Sequence, residues 1–454
     1  MNKPVKNQEI EVSIDSLAFG GRGVARVNGF VVFVEGAVPG DVVRALVTAS
    51  KRSYAEARSV EVLAPSRQRI QPACAHFGVC GGCSWQSLPY ETQLEFKQKQ
   101  VGDCLKRIGG VEEPPLDEPL GAAPLWRYRN KVEFSFAPAP GAGIDLGFHR
   151  PGEWQRVINI DDCVLHSQLT NKIRNLTREL VRESGLEAYD PRSGAGFFRH
   201  LVLREGANTG EVMVNLVTAP GEFPEKQDFA RRLTTDHPEI ASLVWSVNST
   251  KASVATGFPF QVLAGRDHIF EEIRGLRLKV SPSSFLQTNT HMAERLYRKA
   301  VGYAGLRGEE LVFDLYCGIG SISLLLARGC REVFGIEIME EAVILARENT
   351  RANGAENAGF AVGKVRKVLK DLGLRRRPDV VVMDPPRAGA SKKEVQRILE
   401  IMPSRIVYVS CNASTLAGNA AQLVEGGYRL LGAGAVDMFP HTPHIEVVAL
   451  FEVA

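Results

Sequence analysis

The sequence predicts an α/β protein in which a doubly wound, Rossmann-like parallel sheet follows a small N-terminal β-barrel and a mostly β central domain. Three observations carry that expectation. Residues 8–63 run in short β-rich segments broken by Gly, Asn or Pro; residues 126–219 read mainly as strands; and from Leu311 onward apolar strands alternate with helical stretches. The 454-residue chain exceeds what one core usually organises, and boundaries are expected at 1–64, 65–280 and 281–454.

Composition narrows the class only a little. Hydrophobic residues at 44% and charged residues at 24% are ordinary globular values. A net charge of +3, from 55 basic and 52 acidic residues, permits a nucleic-acid partner without demanding one, so local features must decide. No apolar run reaches bilayer length, and MNKPVKNQEI lacks the apolar core of a secretory signal, so a cytoplasmic protein without a membrane partner is expected. In that reducing compartment the eight cysteines read as ligands, nucleophiles or small core residues rather than disulfides.

In chain order, EIEVSID, GVARV, FVVFVEG, DVVRALVTAS and YAEARSVEVL predict a five-stranded, OB-like barrel. Such barrels often grip nucleic acid, but the near-neutral charge leaves a capping or oligomerisation role equally open. Pro65 and Pro72 mark a linker. Cys74, Cys80 and Cys83 then follow as Cys-x5-Cys-x2-Cys, with Gly78, Gly81 and Gly82 freeing the backbone to wrap a metal site. A fourth ligand is needed, and Cys163 in NIDDCVLHS is the leading candidate; Cys104 lies in an amphipathic helix over Tyr90–Ile108 and reads as core. Zinc and an iron–sulfur cluster would both accept four sulfurs.

The strands YRNKVEFSFA, GIDLGFHR, FRHLVLREG and EVMVNLVTA follow, interrupted by a helix near Gln168–Glu183. Basic and aromatic residues interleave there, from Arg127, Tyr128, Arg129 and Lys131 through Phe148, His149 and Arg150 to Phe198, Arg199, His200 and Arg204. They could stack bases and neutralise phosphates, although strand edges carry such residues anyway, and the structural reading is preferred. Residues 220–280 add a further helix and strands. SPSSFLQTN at 281–289 sets the polar Gln287 in an otherwise apolar approach to a helix over 290–304.

The stretch LVFDLYCGIGS, 311–321, reads as buried strand, tight loop and helix. Glycines at 318 and 320 let backbone approach a ligand, and the helix behind them offers free N–H groups. Neither a third glycine three residues on nor a phosphate-loop motif is present, which argues against pyrophosphate. The next strand, EVFGIEI, brings Glu337 to its end, 23 residues after Asp314, where an acid can take both ribose hydroxyls. A ribose without phosphate suits S-adenosylmethionine.

Two further strands, DVVVM and RIVYVS, lead into Asp384-Pro-Pro-Arg and Cys411-Asn412, so Asp314, Glu337, Asp384 and Cys411 are all expected at one rim. Pro385 and Pro386 stiffen that loop. Enzymes that methylate adenine amino groups follow such prolines with an aromatic residue; here Arg387 stands instead. Cys411 points to a different chemistry. A thiolate adding to C6 of uracil turns C4–C5 into an enolate able to take a methyl group, after which the C5 proton must leave. DMFPHTPHIE at 437–446 supplies Glu446 as base, with His441 and His444 as rivals.

The set resembles the RumA/TrmA family of RNA 5-methyluridine methyltransferases over nearly the whole chain, through SFLQTN, DLYCGIGS, GIE, DPPRAG, SCNASTLA and DMFPHTPHIE in that order. The resemblance implies that Gln287, Tyr316, Glu337 and Asp384 bind S-adenosylmethionine, that Cys411 is the nucleophile and that Glu446 is the base. HFGVCGGCSWQ looks like the family's cluster-binding loop, implying a 4Fe-4S cluster on Cys74, Cys80, Cys83 and Cys163 and a TRAM barrel before it. Both features belong to the ribosomal RNA branch, so 23S ribosomal RNA is the expected substrate and transfer RNA the alternative; a monomer is the expected state. Two positions depart: Ala413 replaces the usual proline after Ser-Cys-Asn, and Gly363-Lys364-Val365 stands where many relatives carry an acid near the adenine. RNA 5-methylcytidine formation would want a cysteine in an Asp-x-Pro-Cys loop, which is absent. A non-catalytic RNA-binding or ribosome assembly factor would not need Gln287, Glu337, Cys411 and Glu446 together.

Overall fold

A computed structural model describes residues 3–139, 141, 143–372 and 376–454. Near the N-terminus, β1 (Glu9–Ser13), β2 (Ser16–Leu17), β3 (Gly23–Val27), β4 (Phe30–Glu35), β5 (Val42–Ser50) and β6 (Tyr54–Ala64) form a curled sheet in the order β1-β5-β6-β4-β3-β2. Alternation sets its core: Val43, Ala45 and Val47 of β5 point inward while Arg44 faces water. Six strands stand where the sequence pattern predicted five. The extra one, β2, spans two residues and is too short for period-two alternation to reveal it.

Helix α1 (Tyr90–Arg107) leads to a seven-stranded sheet of β7 (Lys131–Ala139), β8 (Gly143–Arg150), β9 (Glu153–Asn159), β10 (Phe198–Glu205), β11 (Val212–Thr218), β12 (Ile240–Val247) and β13 (Phe260–Gly265). Its order is β13-β12-β11-β10-β7-β8-β9, with α2 (Gln168–Glu183) and α3 (Lys226–Asp236) packed on it. The basic residues of β10 serve the fold, as preferred above. Arg199 donates to the carbonyls of Asn248, Thr250 and Ala252, and buried Arg204 donates to that of Ser284.

A hairpin of β14 (Ile269–Ile273) and β15 (Leu276–Val280) precedes α4 (Thr290–Ala304), which Asn289 caps by accepting from the Met292 amide at 3.2 Å. The last sheet comprises β16 (Leu311–Leu315), β17 (Glu332–Glu337), β18 (Ala358–Val362), β19 (Val380–Met383), β20 (Arg405–Ser410), β21 (Tyr428–Val436) and β22 (Glu446–Val453). Between them run α5 (Ser321–Leu326), α6 (Glu340–Ala352), α7 (Val365–Leu372), α8 (Lys392–Ile401) and α9 (Ala413–Glu425). The order is β18-β17-β16-β19-β20-β22-β21; β16 to β20 pair in parallel and β22 runs antiparallel to both its neighbours. Alternate residues divide between two cores: Val312, Val382 and Val407 meet α4, while Phe313, Val381 and Ile406 meet α8 and α9. Strand order reverses between β16 and β19, so a crevice opens beyond their carboxyl ends. Among the described residues no helix is long and apolar enough to cross a membrane.

Candidate active site

That crevice is a cavity of about 870 Å³, and Gln287, Tyr316, Glu337, Asp384, Cys411 and Glu446 all line it. The loop after β16 carries left-handed backbone at Tyr316 (φ 65°), Gly318 (φ 54°) and Gly320 (φ 86°). For a bulky side chain such as Tyr316 this is a strained conformation that persists only when its surroundings impose it. Here the Tyr316 and Cys317 amides both donate to the Ile336 carbonyl of β17, at 2.8 and 3.2 Å. Glu337 in turn accepts from the amides of Gly318 (3.1 Å), Ile338 (2.6 Å) and Met339 (2.9 Å), which orient its carboxylate on the cavity wall.

Asp314 corrects the expectation that four polar groups share the rim. It is 1% exposed, does not line the cavity, and accepts from the Ser323 hydroxyl of α5; burial pushes its carboxyl up to about 7. Lying one residue short of the strand end, its side chain turns beneath the loop.

Asp384 follows β19 directly, and burial raises its carboxyl to about 6. Cys411 follows β20, in a turn held by Asn412. The Asn412 side chain caps α9 by accepting from the Ser414 and Thr415 amides and donates to the Arg387 carbonyl at 3.2 Å. Ala413 is buried as the first residue of α9, directly behind the Asn412 cap. Burial raises the Cys411 thiol; the charges of Glu446 and Asp384 raise it further, and Arg387 opposes them.

Glu446, the first residue of β22, is 3% exposed, and its Oε2 has no hydrogen-bond partner among the described residues. Burial pushes its carboxyl well above the ordinary range, Asp384 adds to the shift and Arg387 opposes it. The rival bases fare worse. His441 is turned away, stacked on Trp126 at 3.7 Å and 11° and bracketed by Gln93. His444 lines the cavity, but burial, then Arg387, Lys97 and Arg129, lower its imidazole to about 4. Gln287 is buried with its carbonyl held by Asn130 at 3.1 Å. Gly363, Lys364 and Val365 do line the cavity; sequence reasoning missed Phe285, 68% exposed at the rim, and Phe439 on the wall. The sequence offered only a phenylalanine two residues before Gln287 as a signal.

Cys74, Cys80, Cys83 and Cys163 line a second cavity of about 270 Å³. Burial, with the neighbouring sulfurs adding to it, raises the Cys80 thiol to about 11 and that of Cys83 to about 12. Among the described residues no three His, Cys, Asp or Glu side chains converge on one ion position. Cys104 lies in the core beside Val101 and Leu105, as expected.

A sheet of this order, with a strained glycine loop after its first strand and an acid ending the second, defines the class of S-adenosylmethionine-dependent methyltransferases. A profile described as tRNA (Uracil-5-)-methyltransferase matches residues 262–453, and a TRAM domain profile matches 5–60. An uncharacterized RNA methyltransferase of Halalkalibacterium halodurans is 39% identical over 98% of this chain and 97% of its own length. One of Bacteroides thetaiotaomicron is 41% identical over 96% and 100%. Among solved structures, the tRNA (uracil-54, C5)-methyltransferase of Pyrococcus abyssi in complex with S-adenosyl-L-homocysteine is similar with a TM-score of 0.77 and 31% identity, over 97% of this chain and 100% of that one. The chain belongs to the RNA uracil-5-methyltransferase family: it is an RNA methyltransferase with an N-terminal TRAM domain, and S-adenosylmethionine is its methyl donor.

Proposed function

We propose that the protein, as a cytoplasmic monomer, forms 5-methyluridine in 23S ribosomal RNA with Cys411 as nucleophile and Glu446 as base. The supporting observation is that these two side chains, one in the turn after β20 and one opening β22, share one cavity with Gln287 and Glu337. The Cys411 thiolate adds to C6, and the electron pair moves onto C5 and O4. S-adenosylmethionine would supply the electrophilic methyl that C5 takes up, its S–CH3 bond breaking to release S-adenosylhomocysteine. Glu446 then accepts the C5 proton, the C6–S bond breaks, and the thiolate is regenerated. A carboxylate whose proton affinity is raised by burial suits that last step. Glu337 would hold the ribose hydroxyls, with Gln287, Tyr316 and Asp384 completing the donor side.

The four cysteines would hold a 4Fe-4S cluster, which supplies a rigid cross-link; the methylation itself needs no electrons. Four cysteines lining one cavity of about 270 Å³ support that reading. Ribosomal RNA is preferred because a TRAM barrel and a cysteine loop occur together here, the combination of the ribosomal branch in the family the sequence resembles. Transfer RNA is the second reading, favoured by the activity named for the Pyrococcus abyssi protein. Tritiated methyl donor and separate ribosomal and transfer RNA from a strain lacking the enzyme decide between them. Label in ribosomal RNA supports the first reading, label in transfer RNA alone supports the second, and no label in either refutes both.

A further inference from the structure

The loop that delivers Glu446 is held by its own turn bonds and, more widely, from outside its own sheet. Between β21 and β22, four consecutive carbonyls each accept from a residue distant in sequence. Asn289 donates to Met438 (3.0 Å), Lys97 to Phe439 (3.0 Å), Tyr128 to Pro440 (3.1 Å), and the Ser84 and Trp85 amides both donate to His441 (3.1 and 3.0 Å). Lys97, on α1, also meets Asp437 at 2.6 Å with both side chains fully buried. His441 holds a left-handed φ of 67° between the Trp126 stack and the Gln93 side chain. A connection joining two adjacent antiparallel strands needs none of this for its own closure.

The last clamp begins in the cysteine loop. Ser84 and Trp85 follow Cys83 directly, and His444, two residues before Glu446, is a wall of both cavities. We propose that the cysteine loop is a positioning device for Glu446: what fills its cavity fixes the Ser84–Trp85 amides, they fix the His441 carbonyl, and the loop then aims the carboxyl at the substrate. Trp126 is a second positioning residue, acting through the His441 ring. This rests on the reading of Glu446 as the base and of the four cysteines as cluster ligands. It gives the cluster a task in a reaction that transfers no electrons.

The chemistry separates positioning from plain loss of structure, because Cys411 addition and methyl transfer precede the step that needs Glu446. A displaced base leaves the methylated RNA still bonded to Cys411. Single-turnover reactions resolving covalent adduct from released product are run on Glu446→Gln, Cys83→Ala, Trp126→Ala and Trp126→Phe proteins. Trp126→Ala and Cys83→Ala should slow release by about tenfold or more while adduct formation changes far less, and Trp126→Phe, which keeps a stacking ring, should restore release. Equal loss of both steps, or no rescue by phenylalanine, overturns the proposal.

A second arm needs no activity and no folded variant. Amide hydrogen exchange is compared in the iron-loaded wild type and after iron is stripped by chelator and oxidant. Emptying the cavity should speed exchange at 84–85 and 441–446 while leaving β16 and β17 unchanged; unchanged exchange at those amides overturns the coupling. If Glu446→Gln accumulates no adduct, the base assignment and the catalytic half of the proposal fall together, and the exchange measurement separately decides the mechanical half.

Discussion

The buried pair of Lys97 and Asp437, 340 positions apart, offers a quantitative test of how the base loop is held. Lys97→Met removes the ammonium but keeps most of the stem, so packing changes little. It leaves the Asp437 carboxylate fully buried with Oδ2 unpartnered and only the Phe439 amide, at 3.1 Å, on Oδ1. Removing one partner of such a pair costs about 3–5 kcal/mol. At roughly 2–4 °C per kcal/mol for a cooperative unit of this size, the thermal midpoint should fall by about 6–20 °C. Differential scanning fluorimetry measures it. Lys97→Met combined with Asp437→Leu removes both charges and should regain more than half of the loss, because well-packed apolar residues replace buried pairs at little cost. Product release should stay slow in the double variant, since the Phe439 carbonyl still lacks its Lys97 donor. A midpoint shift below about 2 °C in the single variant, or no recovery in the double one, would refute the reasoning.

Other consequences follow from the same geometry. Because burial, Glu446 and Asp384 all raise the Cys411 thiol, kcat/KM should climb about tenfold per pH unit between pH 7 and 8 as thiolate forms; a flat profile there would contradict the assignment. Arg387 opposes that shift, so Arg387→Gln should move the limb to higher pH, read from the same profiles. Asn412→Ala removes the cap of α9 and the tie to the Arg387 carbonyl, costing about 1 kcal/mol of stability. It should lower kcat more than it raises KM, which steady-state kinetics with denaturant titration would check.

Much of the last sheet was legible because its signals are local. Apolar runs followed by Asp384 or Cys411 mark strand ends, and left-handed positions at Gly318 and Gly320 demand glycine, so the cavity could be assembled from residue order. What escaped the sequence depends on three dimensions. Strand β9, with Glu153, Gln155 and Arg156, shows no apolar alternation and gains its place only by pairing with β8. Lys97 looks like the polar face of an amphipathic helix, yet α1 buries it because its partner lies beyond β21. Strand counting places Asp314 at the rim, but a one-residue setback turns it under the loop onto Ser323.

The central claim is that Cys411 forms a covalent bond to the substrate base, and 5-fluorouridine-containing RNA tests it directly, because fluorine at C5 cannot leave as a proton. With S-adenosylmethionine present, the wild-type protein should yield a methylated protein–RNA complex that survives denaturing electrophoresis, with the RNA mapped to the peptide carrying Cys411, and Cys411→Ala should yield none. A complex that persists in Cys411→Ala, or one mapped to another residue, would contradict the account.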